Sequence, residues 1–219
     1  MTGHLRDLPV AAGRTDPLVH LAVETHTGTL DLAALFGNQR DVELEVGVGK
    51  GRFLLLAASA HPEVNYLGVE YAHRYFVQAV ERVAKRALAN VRLVETDVVP
   101  LLETRLADAS LAACHVYFPD PWPKKRHHKR RFFRSHVIDR VARVLRSGGL
   151  LRAATDHPDY AAVILEVLAA HPAFVDAGPS AALWELPGMG DYTTLGVTNF
   201  EIKYRREGRP IHRFAWRRT

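Results

Sequence analysis

Segments with strand character alternate with segments of helical character along most of this chain, and this order constrains its fold more than any other feature. Residues 42–46 alternate like a strand, a glycine-rich turn follows, and residues 52–58 have the composition of a helix. The pattern recurs, and the five predicted strands are 42–46, 66–70, 91–96, 111–118 and 150–154. Because parallel strands need crossover connections of helical length, the order predicts a doubly wound, Rossmann-like α/β fold with a mostly parallel sheet.

The end of the chain follows a different pattern. Residues 199–204 and 211–216 alternate in character on either side of a turn at residues 207–210. This arrangement predicts an antiparallel C-terminal hairpin at one end of the sheet.

The remaining segments outside the strand and helix pattern are the N-terminus and one long stretch near the C-terminus. Residues 1–17 mix glycine, proline and charge without a period, and we expect a loose arm there. Residues 18–219 are expected to form a single domain. Residues 176–197 predict one long loop, and loops of that length usually have a function or are disordered.

Acidic residues stand at or just after the ends of all five predicted strands. In chain order they are Glu45, Glu70, Asp97, Asp120 and Asp156. The carboxyl ends of parallel strands share one edge of a sheet, and ligands bind at that edge in open α/β folds. Any one of these acids could instead cap a helix, and Asp97 and Asp156 are well placed to do so. Together the five acids predict a ligand site along one edge of the sheet.

The glycine loop, residues 47–51, differs from the common phosphate-binding motifs. Its glycines are Gly47, Gly49 and Gly51. This spacing matches neither the Walker loop nor the dinucleotide fingerprint. Glu45 directly precedes the loop, where it would repel a phosphate and attract a cation, and Glu70 is placed to accept hydrogen bonds from ribose hydroxyls. These features predict a nucleoside with a positive charge and no phosphates, which describes S-adenosylmethionine.

Three prolines separate the fourth predicted strand from a strongly basic stretch. In the proline loop, residues 118–123, they fix φ and remove backbone donors, so that Asp120 and Trp122 cannot enter a helix. The basic segment, residues 124–131, contains six Lys or Arg residues and two His residues. This density favours a polyanionic partner, although a solvated charge run at a helix start is the plainer interpretation. For Trp122, packing in the protein and stacking on a base both remain open.

The composition limits the kind of binding partner and the cellular compartment that we expect. The formal net charge of +5 favours nucleic acid over a membrane surface, since no basic amphipathic helix stands out. No run approaches about 18 apolar residues and no signal pattern opens the chain, so we expect a cytoplasmic protein with no membrane partner. Cys114 stands alone inside an apolar strand and is predicted to belong to the core. No Cys or His cluster has metal spacing, and no metal is expected.

Five segments together resemble the bacterial tRNA (guanine-N7-)-methyltransferase family. They are residues 45–51, 68–70, 118–131, 155–156 and 198–203. The segment 118–131 is the most specific of them, because many methyltransferases share the glycine loop. The resemblance implies a class I methyltransferase fold and S-adenosylmethionine-dependent methylation of guanine N7 at position 46 in the tRNA variable loop.

The resemblance also implies roles for individual residues. The cofactor-binding residues that we expect are Glu45, Gly47, Gly49, Gly51, Glu70, Asp97 and Asp120. The residues expected to contact the substrate or RNA are Lys124, Arg126, His127, His128, Lys129, Arg130, Arg131, Asp156, Thr198, Asn199, Phe200 and Glu201.

Asp120 is the predicted catalytic residue. Guanine N7 has an in-plane lone pair and needs no deprotonation before it attacks a methyl group, so positioning and an in-line geometry suffice. A fixed carboxylate would stabilise the positive charge that moves onto the purine.

Two alternatives stay open. An exocyclic-amine methyltransferase would use an acid or amide before two prolines and an aromatic residue, and residues 120–122 lack the second proline. An RNA-binding module on a degenerate methyltransferase fold is the other alternative, against which the complete set of acids argues. A monomer and a homodimer are both compatible with the sequence.

Overall fold

Helices cover both faces of a seven-stranded mixed sheet in the computed structural model, which describes residues 28–179 and 198–219. Within these ranges the strands are β1 (Val42–Val46), β2 (Asn65–Glu70), β3 (Val91–Glu95), β4 (Leu111–Tyr117), β5 (Leu145–Thr155), β6 (Phe174–Asp176) and β7 (His212–Arg218). Their order in the sheet is β3-β2-β1-β4-β5-β7-β6. Strands β1 to β5 pair in parallel, while β7 pairs antiparallel with β5 and β6. The predicted fold class is confirmed.

The described helices follow most strands, as expected for crossover connections. They are α1 (Leu32–Phe36), α2 (Arg52–Ala60), α3 (His73–Arg86), α4 (Val98–Pro100), α5 (Ser135–Val144), α6 (Pro158–Ala169) and α7 (Asn199–Arg206). A π-helical turn, Leu101–Arg105, continues α4, and a 3₁₀ helix, Lys125–Arg130, lies within the basic segment.

Two apolar clusters hold the helices on the sheet. Helices α2 and α3 pack in one cluster with β2 and β3. Helices α1, α5 and α6 pack in the larger cluster on the other face. In α3, Phe76, Val80 and Val83 recur at helical spacing and are buried, which explains why this segment folds as an amphipathic helix.

The predicted C-terminal hairpin is wrong in its first strand. Residues 199–206 form α7, whose N-cap Thr198 accepts a hydrogen bond from the backbone N–H of Glu201 at 3.0 Å. The antiparallel partners of β7 are β5 and β6 instead. Strand β6 ends at the first residue of the predicted loop 176–197, and most of that loop, like the predicted arm 1–17, lies outside the described residues.

The strand order reverses between β1 and β4, and this reversal positions the site. From β1 the chain builds β2 and β3 on one side, and β4 and β5 follow on the other side. Helices that follow adjacent strands therefore leave in opposite directions, which opens a crevice beyond the carboxyl ends of β1 and β4.

Candidate active site

The glycine loop follows β1 with three residues in the left-handed region. The φ angles are 73° at Gly47, 54° at Gly49 and 73° at Gly51, where a side chain would strain the backbone. The backbone N–H groups of Gly47 and Val48 donate to the carbonyl of Val69 at 2.8 and 3.1 Å, which fastens the loop to the end of β2. A Cβ at Gly47 or Gly49 would meet no atom within 4 Å, so the loop presents an open backbone surface.

Glu70, at the end of β2, holds the glycine loop from the side. One carboxylate oxygen, Oε2, accepts the N–H of Gly49 at 2.8 Å, and Oε1 accepts the N–H of Ala72 at 2.8 Å. Each oxygen keeps a second lone pair. The geometry therefore remains compatible with ribose hydroxyls as further donors, and it also gives Glu70 a part in shaping the loop.

Glu45 is a buried acid at this edge with one carboxylate oxygen that has no partner. Its side chain is buried, with 3% of the residue exposed, and Oε2 has no hydrogen-bond partner. Burial and the nearby charge of Glu70 raise its pKa well above the usual range, although a hydrogen bond from the backbone of Leu54 opposes the rise. An unpaired carboxylate oxygen in this setting is costly, and a cationic ligand group would remove the cost. The residues present thus fit a ligand with a positive charge beside the glycine loop.

Asp97 follows β3 and caps the next helix. Its Oδ1 accepts the backbone N–H of Val99 at 2.9 Å, and the residue is exposed. The cap was one of the two interpretations that the sequence left open. A cofactor contact by the second carboxylate oxygen stays a prediction.

The proline loop carries Asp120 between two strained residues. Phe118 has φ 53° and Trp122 has φ 42°, both left-handed and both without the freedom of glycine. Such conformations cost about 1–3 kcal/mol each and persist only where the surroundings impose them. Asp120 is exposed, and the N–H of Phe118 donates to the carbonyl of Ala154 at 2.7 Å, which ties the loop to β5.

Helix α7 places an aromatic cluster, Phe118, Phe200 and Tyr204, beside the acids that follow β4 and β5. The ring centroids lie 5.6 to 6.2 Å apart. Burial raises the pKa of Tyr204, and the carboxylates of Asp156, Glu207 and Asp120 add to the rise, which the charge of Arg209 opposes. The carboxylates of Asp156 and Asp120 therefore both influence the pKa of the Tyr204 hydroxyl. Phe200 is 49% exposed, so the cluster has an open side.

Asp156 is held by an arginine that the sequence analysis did not identify. Arg209 donates from Nη1 to Oδ2 of Asp156 at 2.8 Å, and its guanidinium lies 4.7 Å from the centre of the Tyr204 ring. The hydrogen bond to Asp156 is the main cause that raises the pKa of Arg209. A substrate contact by Asp156 would thus use a carboxylate that already has one cationic partner.

Two residues predicted to contact substrate, Glu201 and Thr198, have partners within the protein, and a substrate contact by either stays a prediction. Glu201 is 3% exposed and accepts hydrogen bonds from Arg205, at 2.7 Å, and from Arg213 on β7. Thr198 is buried and caps α7. The contact between Glu201 and Arg213 joins the first turn of α7 to β7 and so fastens the helix to the sheet. Asn199 is exposed on the same turn.

The basic segment divides into exposed and buried cations. The exposed residues are Lys124, Lys125, Arg126, Lys129 and Arg130, and His127 and His128 are half-buried. Arg131 is 7% exposed and donates from Nε to the carbonyl of Pro121 at 2.7 Å. The prediction that Arg131 contacts RNA does not fit this geometry, because its guanidinium is turned into the protein.

Trp122 packs against the basic segment. The ring of His127 meets its indole edge-on at 5.7 Å between centroids, and the guanidinium of Arg130 lies 4.9 Å from the indole centre. The indole is still partly accessible, and stacking on a base stays a prediction beside this packing.

Comparison with known proteins decides the family. Residues 39–214 match a family model described as putative methyltransferase. A protein of Nocardia farcinica named tRNA (guanine-N(7)-)-methyltransferase is 39% identical over 192 residues, covering 85% of this chain and 71% of the relative. A protein of the same name from Leifsonia xyli subsp. xyli is 43% identical over 185 residues, covering 81% and 82%. The chain belongs to this methyltransferase family.

The resemblance inferred from the five sequence segments is therefore confirmed. Among solved structures, an rRNA methylase from Streptococcus thermophilus superposes with a TM-score of 0.52 at 12% identity, covering 82% of this chain and 87% of the methylase. At that identity the likeness bears on the fold alone, and it agrees with the class I methyltransferase sheet.

Within this methyltransferase, a buried polar chain that the sequence analysis missed lies under the site. His115 on β4 is fully buried, with Nε2 2.9 Å from Oε2 of Glu43 and Nδ1 3.1 Å from the hydroxyl of Tyr117. Burial lowers the pKa of His115, which the hydrogen bond to Glu43 opposes. His115 lies beside Glu45 in the register of β1 and β4, so this polar chain adjoins Glu45.

Cys114, the neighbour of His115, points to the opposite face. It is fully buried, and burial raises the pKa of its thiol to about 12. The predicted core position is confirmed, and a thiolate nucleophile at this position is disfavoured.

The described ranges also bear on metals and membranes. Residues 28–179 and 198–219 contain no group of three or more His, Cys, Asp or Glu side chains placed to hold a metal ion. No helix in these ranges has the length and apolar character needed to cross a membrane.

Proposed function

We propose that this methyltransferase uses S-adenosylmethionine to methylate N7 of the guanine at position 46 in the variable loop of tRNA. The observation that carries the proposal is a juxtaposition at one edge of the sheet. Glu45, a buried carboxylate with an unpaired oxygen, lies beside the glycine loop. In the proline loop that follows the adjacent strand β4, Asp120 is exposed between Phe118 of the aromatic cluster and the exposed cations of the basic segment. The names of the relatives support the choice of tRNA and of guanine N7.

The glycine-loop side of the crevice suits the cofactor. When bound, S-adenosylmethionine supplies a methyl group on a positively charged sulfur. Glu45 is the residue to bind the positively charged methionine end, since its free oxygen has no other donor. Glu70 orients the ribose while its backbone contacts keep the glycine loop in place. Asp97 adds an acceptor at the end of β3.

Asp120 contributes electrostatics and position. The nucleophile, guanine N7, has a free lone pair, so the site needs no general base. A carboxylate between Pro119 and Pro121 stabilises positive charge as it develops on the purine, and it reorganises little because the two prolines fix φ on either side of it.

The aromatic cluster and the exposed cations suit the RNA. Phe200 offers a half-exposed ring on which a base can stack, and the carboxylates of Asp156 and Asp120, which both raise the pKa of the neighbouring Tyr204, are the acceptors for that base. Lys124, Arg126, Lys129 and Arg130 are exposed and contact phosphates, which position the RNA without reading its sequence.

The deciding experiment identifies the labelled nucleoside. The protein is incubated with methyl-labelled S-adenosylmethionine and unmodified tRNA, and the RNA is digested and separated. We expect label in 7-methylguanosine, and we expect none in a matched tRNA with adenine at position 46.

Other outcomes would favour the alternatives. Label on an exocyclic amine would replace the proposal with the amine methyltransferase. Tight binding of tRNA with no label in any nucleoside would favour an RNA-binding module.

A further inference from the structure

The proline loop needs a restraint that its own sequence does not supply. Its three prolines have no N–H to donate, and two of its other residues, Phe118 and Trp122, are held in left-handed conformations. The N–H of Phe118 ties the start of the loop to β5. The far end of the loop, at Pro121 and Trp122, must be held by another part of the chain.

Arg131 makes that restraint from the end of the basic segment. Its Nε donates to the carbonyl of Pro121 at 2.7 Å, and Nη2 reaches the carbonyl of Trp122 at 3.5 Å. The guanidinium lies 5.0 Å from the centre of the Tyr160 ring. Tyr160 is fully buried, and its hydroxyl accepts the N–H of Phe133 at 3.3 Å. Arg131 therefore connects the strained end of the loop to a fixed part of the core.

Its neighbour Arg130 differs from Arg131 in exposure, and this difference separates contact with solvent from contact with the loop backbone. Arg130 is exposed and lies over the Trp122 indole. Arg131 is buried and holds the backbone beneath. Adjacent arginines of equal charge thus face solvent and core, and only the first is available to a phosphate.

We propose that Arg131 is a positioning residue that sets Asp120 by clamping the Pro121–Trp122 end of the proline loop. The role of Asp120 rests on the proposed function, whereas the clamp itself does not. A planar guanidinium is needed, because its fork spans two carbonyl groups while its face stacks on Tyr160. A lysine at position 131 keeps the charge and loses this geometry.

Arg131→Lys is therefore the main test, with tRNA methylation kinetics and hydrogen exchange of the proline loop as readouts. We expect kcat to fall by between about ten- and a hundredfold, the scale of a misplaced reacting group. The KM for tRNA and its salt dependence should stay within about twofold of the parent. Backbone exchange at Asp120 and Trp122 should become faster.

Arg92→Lys is the matched control. Arg92 also donates from Nε to a carbonyl, that of Leu35 at 3.1 Å, and also stacks on an aromatic ring, that of Phe36 at 5.2 Å. It lies on β3, away from the proline loop, so kcat and loop exchange should equal those of the parent.

Three results would overturn the clamp. The first is parental kcat and loop exchange in Arg131→Lys. The second is a raised KM with a flatter salt dependence in Arg131→Ala, which would make the residue an RNA contact. The third is failure of both variants to fold, which would assign Arg131 to global stability. If the parent does not methylate tRNA, the proposed function fails, while loop exchange in Arg131→Lys still decides the clamp.

Discussion

The cofactor half and the substrate half of the proposed site are built by different means. In the cofactor half, Glu45 and Glu70 stand on neighbouring strands, and the sheet itself places them beside the glycine loop. In the substrate half, Asp120 stands on a loop, and its surroundings come from distant segments: Arg209 reaches Asp156 across 53 positions of sequence. Strand geometry positions the first half, whereas packing between loops and α7 positions the second.

The two halves also store free energy differently. The cofactor half holds a buried carboxylate oxygen without a partner, so its cost is electrostatic and a ligand can relieve it. The substrate half holds two left-handed residues whose partners are already in place, so its cost is conformational. A substitution that removes a charge but keeps the shape of the side chain should therefore differ in effect between the two halves, and so should one that keeps the charge but changes the shape.

The largest effect is expected in the substrate half at Asp120. Asp120→Asn preserves the shape and removes the charge, and kcat should fall by at least about a hundredfold, the usual scale for one preorganised electrostatic group. Binding of tRNA should change little, because the exposed cations remain. The parental rate should also be flat across neutral pH, where a tuned general base would titrate. Steady-state kinetics over a pH series measure both the fall in kcat of Asp120→Asn and the pH dependence of the parental rate.

The control for Asp120 is Asp159→Asn, which removes an exposed carboxylate in the first turn of α6 and should leave kcat unchanged. Activity of Asp120→Asn within a few-fold of the parent would show that the charge is unnecessary, and Asp156 would become the candidate.

The next largest effect is expected in the cofactor half at Glu45. Glu45→Gln removes the charge that should meet the cationic end of the ligand. Loss of a charged hydrogen bond costs about 1.5–3 kcal/mol, so affinity for S-adenosylmethionine should fall roughly ten- to hundredfold by calorimetry. Glu166→Gln, an exposed change on α6, should have no effect. Unchanged affinity in Glu45→Gln would remove Glu45 from the cofactor site.

Glu45 also predicts a pH dependence in the ligand-free protein. Burial, with Glu70, raises its pKa in the folded state, so between the unfolded and folded pKa values the folded protein binds more protons. Stability therefore falls as pH rises through this window. His115, whose pKa is lowered, contributes with the opposite sign, so the melting curves of the parent and Glu45→Gln are compared. A difference between them that does not vary with pH would contradict the assignment.

The contrast between the halves also explains what the sequence could predict. Strand ends follow from local alternation, so the sequence alone places the acids at or just after the ends of β1 to β5, along one edge of the sheet. Gly49 and Glu70 meet across 21 positions through adjacent strands, as expected from the parallel sheet. The unpaired oxygen of Glu45 could not be predicted, because the strand alternation at Glu43 and Glu45 does not show which side chain finds a partner.

The substrate half is harder to predict from the sequence, because one of its segments carries both a strand pattern and a helix signal. Residues 199–204 alternate like a strand, yet Thr198 and Glu201 match the spacing of a helix capping box, and the helix forms. Tyr204 and Arg209 were missed as a result. Arg131 was assigned to RNA because charge alone does not show that a guanidinium binds backbone carbonyl groups.

A smaller effect is expected from the exposed cations of the basic segment. Replacing Arg126, Lys129 and Arg130 with Ala, and leaving Arg131 intact, should raise the KM for tRNA by roughly tenfold and flatten its salt dependence. Each lost phosphate contact lowers the slope of log affinity against log salt by about 0.7–0.9. Affinity for S-adenosylmethionine should not change.

The matched control for this triple removes the same charge from α3, at Arg74, Lys85 and Arg86, and should leave the slope as it is. If the salt dependence stays steep in the variant of the basic segment and becomes flat in the variant of α3, the RNA binds along α3 and not along the basic segment.

The smallest effect is expected at Asp97, where a cap and a cofactor contact share one carboxylate. Oδ1 accepts the N–H of Val99, so only the second oxygen is free for a ligand. Asn caps as well as Asp does, and Asp97→Asn should keep the melting temperature while the lost acceptor weakens cofactor binding by roughly two- to tenfold. Asp97→Ala should lower both, with about 1 kcal/mol from the cap. If Asp97→Asn binds S-adenosylmethionine as tightly as the parent, Asp97 is a helix cap alone, and Glu45 and Glu70 remain as the acids of the cofactor half.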